Sequence, residues 1–146
     1  MNNFHFKLQR VLDWRRTQLE LEEARFKQQL AAVAELDRAR AALEAAGIHA
    51  EIQVRQWRPV AGRDVTALGG YRLHVMAQEQ EIAVSRAKSQ SALDAQEAAM
   101  LEARRRCRLL ERLKERRRVE WQAAGDREVE ELASESYLAG WVRGER

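Results

Sequence analysis

Two apolar stripes, each written in steps of three and four and separated by one short breaker region, constrain this chain more than any other feature. From Val75 one series falls on every seventh residue, through Ile82, Ser89, Gln96, Ala103 and Leu110. A second, four residues behind, runs through Leu93, Met100, Cys107, Lys114 and Trp121. Apolar or small residues at that spacing line one narrow face of a helix, the seam of a coiled coil. The first third supplies a stripe of its own in Leu8, Leu12, Leu19, Phe26, Leu30, Val33, Leu36 and Leu43. Between the two lie the only proline, Pro59, and the glycines Gly62, Gly69 and Gly70. The pattern predicts an all-α fold. It is read as a single coiled-coil domain over 1–146, a long two-helix antiparallel hairpin drawn out into an extended rod.

Element boundaries follow from caps and breakers. Asn3 is a good N-cap, so helix 1 is expected over 3–56. Pro59 has no amide proton and biases Arg58 away from helical angles, which sets a loop over 57–70. Asp64 is read as capping a short turn, and Gly69 and Gly70 break it again before helix 2 starts at Tyr71 and continues to 141. Gly47 weakens helix 1 by about 1 kcal/mol relative to alanine, and Gly125 is a candidate kink. A turn centred near Gly62 makes Leu12 face the neighbourhood of Arg112 and Leu8 that of Arg116. Residues beyond Trp121 then have no partner helix. That overhang still carries Val129, Leu132, Tyr137, Leu138 and Trp141, and apolar side chains on an unpaired helix end mark a contact site unless the end folds back on itself.

Composition supports the elongated reading. Charged residues make up 34% of the 146 and aromatics only 6%, the usage of long helices washed by solvent. Cys107 is the only cysteine, so no internal disulfide can form. No stretch approaches the roughly 18 apolar residues a membrane span needs, and the first residues lack the apolar core of a signal peptide. A soluble, cytoplasmic protein is expected, with any membrane association made peripherally through a partner.

The net charge of +3 hides an uneven distribution. Arg104, Arg105, Arg106, Arg108, Arg112, Lys114, Arg116, Arg117 and Arg118 crowd one stretch against Glu111 and Glu115 alone. Such a band is a solvated face, a dock for an acidic partner, or a nucleic-acid contact. No nucleic-acid module accompanies it, so nucleic acid is not the expected partner.

Chemistry is not expected. Gly69–Gly70 leads into Tyr71 and Arg72, not a phosphate-binding Lys-Ser or Lys-Thr. His5, His49 and His74 stand too far apart for metal-ligand spacing. Carboxylate pairs such as Glu22–Glu23 and Glu130–Glu131 sit on exposed helices, where no pocket shifts their acidity. Neither catalytic residues, nor a cofactor, nor a metal is predicted.

Four segments carry a family resemblance. FHFKLQRVLDWRR resembles the start of FliJ proteins, YRLHVMAQEQEI their second-helix entry, LEARRRCRLLERLKERRRVEW their Leu-Glu-Ala-Arg run, and DREVEELASES the acidic stretch near their end. Order and spacing agree over nearly the whole chain. The resemblance implies a non-enzymatic stalk and adaptor of the flagellar type III protein export apparatus. Its partners would be a FliI-like export ATPase hexamer, the cytoplasmic domain of an FlhA-like export gate and export chaperones. The implied ring contact comprises Arg104, Arg105, Arg108, Arg112, Arg116, Arg117, Trp121, Leu132, Leu138 and Trp141. The family places an aromatic and a leucine where this chain has His74 and Gln78, which leaves the gate contact to Tyr71, Val75, Met76 and Ile82. The ending YLAGWVRGER also differs from the family's shorter one. A scaffold or chaperone of another complex, including the equivalent stalk of a virulence secretion system, is the alternative.

Overall fold

The computed structural model describes residues 3–57 and 61–144. The fold is all-α: helix α1 spans Gln9–Gln56 and helix α2 spans Gly62–Gly144. Intrahelical ion pairs lie along both, among them Arg25–Glu22 at 3.2 Å, Arg40–Glu44 at 3.3 Å and Arg106–Glu102 at 2.9 Å. Each supports an exposed helix by about 0.2–0.5 kcal/mol.

The boundaries differ from the expected ones for identifiable reasons. α1 begins at Gln9 rather than Asn3, because Phe4 and Phe6 are drawn into a non-helical lead-in that packs on α2. Burial of two aromatic rings outweighs one cap. At the other boundary, Asp64 closes a capping arrangement: its carboxylate accepts the Ala61 N–H at 3.1 Å and its own N–H donates to the Ala61 carbonyl at 3.0 Å. With its first turn tied down in this way, α2 starts at Gly62 and passes through Gly69 and Gly70 without a break. It also continues through Gly125 to Gly144. Pro59, the predicted breaker, lies outside the described residues.

The chain groups into two compact units, Met1–Leu19 with Glu102–Arg146, and Glu20–Leu101. In the first, Phe6, Leu12 and Cys107 form a buried cluster, with Phe4, Leu19, Leu110 and Leu113 packed against it. Leu12 is fully buried and Cys107 only 3% exposed. The two chain segments of this unit run antiparallel: Phe4 meets Trp121 with ring centroids 6.0 Å apart, and Arg16 meets Glu111 at 3.5 Å.

The second unit is a helical hairpin. Asp37 pairs with Arg86 at 2.6 Å and Glu51 with Arg72 at 2.9 Å, partners that climb one helix while descending the other. Val33, Leu93 and Met100 are buried, and Phe26, Leu36, Leu43, Val75 and Ile82 are half-buried. On α2 every member of both expected series from Val75 to Lys114 is buried or half-buried. On α1 the reading needs correction at two places. Leu30 is 49% exposed and Leu8 39% exposed. The inward position beside Leu30 belongs to Gln29, in a half-buried line through Arg15, Glu22, Gln29, Leu36, Leu43 and Ala50. Leu8 lies before the first turn of α1, at the open end of the seam.

Glu22 on that line has a partner on α2. Gln96 reaches across the second unit to donate to the Glu22 carboxylate and, at 3.2 Å, to the Glu22 carbonyl. The Cys107 thiol donates to Glu111 at 3.7 Å. Burial first, then the negative charge of Glu111, raises the Cys107 pKa above its ordinary 9.0. Because the folded value is the higher one, the thiol's contribution to stability is complete below about pH 9 and is lost as the pH rises through the folded value. Alkylation of Cys107 at pH 8 should therefore be slow in the native chain and fast in urea. Equal rates in the two conditions would contradict the burial.

Candidate docking surfaces

At 3.6 residues per turn each residue advances about 100° around α2, which sorts the basic band by face. Cys107, Leu110 and Lys114 point to the seam. Arg105, Arg108, Arg112 and Arg116 fall on the opposite side, within an arc of about 80°, and all four are exposed. The other arginines of the band lie on the flanks, where the acids also lie. Arg106 pairs with Glu102 at 2.9 Å, Arg117 with Glu120 at 3.1 Å and Arg118 with Glu115 at 2.8 Å. The bond from Arg118 holds the Glu115 carboxyl below its ordinary pKa. Glu111 is engaged by Arg16 and Cys107.

The flanks are thus neutralised, and the outward stripe is left without an acid partner among the described residues. Leu109 at its edge and Val119 beyond it are exposed as well, so the stripe combines positive charge with apolar contact area. Of the predicted ring-contact residues, Arg105, Arg108, Arg112 and Arg116 come together on this face. Arg117 and Arg104 do not; Arg117 is held in a flank ion pair.

The overhang presents its apolar residues on two faces. Trp121 is 41% exposed and, together with Leu132, continues the seam side, while Leu138 and Trp141 turn to the outward side with the arginines. Beyond Gly125 every described residue of α2 is exposed. Next to the lead-in, a groove of about 500 Å³ opens between Phe4, Leu8, Leu113, Arg117 and Trp121. Sequence reading missed its two phenylalanines as packing residues, although the alternation of Phe4 and Phe6 ahead of a helix signals an extended lead-in.

The second unit carries a groove of about 400 Å³. Tyr71, Val75 and Met76 line one side, Gly47 and Ile48 the other, and Glu44, Glu51, Arg72 and Glu79 complete its wall. Gly47 falls on the seven-residue line of Leu12, Leu19, Phe26 and Val33, with the exposed Arg40 between, and having no side chain it leaves the groove open. Three of the four predicted gate-contact residues are gathered here, and Ile82 is half-buried farther along the seam. A Cβ added at Gly47 meets nothing within 4 Å. Gly47→Ala should raise stability by about 0.5–1 kcal/mol through helix propensity. A lower melting temperature would show that the groove does not tolerate even a methyl group.

Among the described residues no group of three or more His, Cys, Asp or Glu side chains could hold a metal ion, and no helix is long and apolar enough to cross a membrane. The chain matches no family model, no curated protein and no solved structure.

Proposed function

We propose that this protein is a docking adaptor of a type III export apparatus, with the flagellar system as the first reading. Its outward arginine stripe engages an acidic collar of the export ATPase ring, and its Gly47 groove receives the export gate. The observation that carries the docking role is the sorting of charge on α2: the acids neutralise the flanks and leave Arg105, Arg108, Arg112 and Arg116 facing outward. Acidic partners are steered by the charge, and exposed Leu109 and Val119 supply contact area. The link to export, in preference to another acidic assembly, rests on the FliJ-like segments of the sequence.

The mechanism is non-catalytic. Binding to one assembly state of the ring more tightly than to another shifts that equilibrium by the difference in affinity and nothing else. The Gly47 groove suits an apolar anchor with a basic neighbour, because Val75, Met76 and Ile48 line its sides and Glu44, Glu51 and Glu79 stand around it. The test is a set of parallel binding titrations of the purified chain against an export ATPase, a gate cytoplasmic domain and duplex DNA. Association with the first two supports the proposal. Binding to DNA alone, with a steep loss as salt is raised, supports a nucleic-acid role instead. Binding to none of the three leaves the scaffold of another complex as the reading.

A further inference from the structure

The outward face of α2 is self-complementary, and we infer that it pairs with the same face of a second copy, antiparallel, about a two-fold axis level with position 121. Past the arginine stripe the same arc of the helix carries Val119, Ala123, Asp126, Glu130 and Tyr137. All are exposed, and neither Asp126 nor Glu130 has a partner among the described residues. Read in both directions from the axis, the face matches itself at four levels, and a fifth sets Arg108 opposite Ser134. Val119 falls opposite Ala123 of the second copy. Arg116 falls opposite Asp126, Arg112 opposite Glu130, and Arg105 opposite the Tyr137 ring.

With the Arg108–Ser134 level included, the five levels recur at the three- and four-residue spacing of a helix-pairing seam. The centre is small and apolar, so the helices can approach closely there. Two oppositely charged pairs flank it on each side, followed by a cation and a ring. Two-fold symmetry doubles every contact, as an isologous interface requires. A parallel arrangement is disfavoured, since it would set arginine against arginine and carboxylate against carboxylate.

Self-association does not depend on any export partner, and it would cover Arg112 and Arg116. Docking to an acidic partner and pairing with a second copy would therefore compete, making the free adaptor's availability depend on its own concentration.

The experiment is sedimentation equilibrium on the full chain, with circular dichroism to show that helix content is kept. The parent should dimerise in low salt, and raising the salt should weaken it. Chain X carries Arg112→Glu and Arg116→Glu; chain Y carries Asp126→Arg and Glu130→Arg. Each alone should dimerise at least about tenfold more weakly than the parent, because four attractions become repulsions. Mixed in equal amounts, X and Y restore opposite charges at all four positions and should form a heterodimer. A parent that stays monomeric up to high micromolar concentration at low salt overturns the inference. So does dimerisation of X and Y separately at parental strength, or failure of the mixture to associate.

Discussion

Leu12→Asp should cost about 4–5 kcal/mol and leave the first unit unfolded or nearly so. Leu12 has no exposed surface and sits in the cluster with Phe6 and Cys107, so a carboxylate there loses its hydration with no partner to replace it. The whole stability of a small domain is only about 5–15 kcal/mol. The matched control is Leu30→Asp. Leu30 looks equivalent in the sequence but is half-exposed, and its substitution should cost within about 1 kcal/mol. Urea unfolding followed by circular dichroism separates the two, with a large loss of midpoint for Leu12→Asp and a small one for Leu30→Asp. Similar losses would mean that the seam of α1 has been misplaced.

That contrast shows where the sequence was legible. Helix 2 announces its inward face because both lines keep a strict seven-residue repeat, from Val75 to Leu110 and from Leu93 to Lys114. Helix 1 does so along one line only, Leu12, Leu19, Phe26 and Val33. Its other line begins with Arg15, Glu22 and Gln29, polar residues that periodicity alone assigns to solvent, and neighbouring Leu30 draws the reading one position aside. Gln96 and its bonds to Glu22 explain how that carboxylate is accommodated there. The ends of the helices were less legible for a different reason. Phe4 and Phe6 leave the helical path to pack, and Asp64 sustains a helix start that two later glycines seemed to forbid. Both are local choices decided by tertiary or capping contacts that spacing does not encode.

The arginine band was visible as composition, but its division into paired flanks and an outward stripe without acid partners among the described residues needed the helix phase and the ion pairs together. The Gly47 groove was hidden because a glycine in a helix reads as a weakness, whereas here its lack of a side chain leaves the groove open beside Tyr71, Val75 and Met76.

The second large effect concerns docking. Reversing Arg108, Arg112 and Arg116 to glutamate should weaken association with the export ATPase by at least about 100-fold, or roughly 2.7 kcal/mol. Helix content should hold, since all three side chains face water. Reversing Arg106, Arg117 and Arg118 should do much less to binding, because those charges are already engaged by Glu102, Glu120 and Glu115. The flank set carries the same formal charge change. It therefore controls for non-specific electrostatics, which depend on net charge and not on which face bears it.

The most direct measurement is the affinity of four chains for the purified export ATPase at one ionic strength: the parent, the outward-stripe triple reversal, the flank triple reversal, and Val75→Glu with Met76→Glu in the groove. The proposed docking mode predicts strong loss for the outward set alone, with the groove variant binding like the parent. Equal losses for the outward and flank sets, or loss confined to the groove variant, would contradict it.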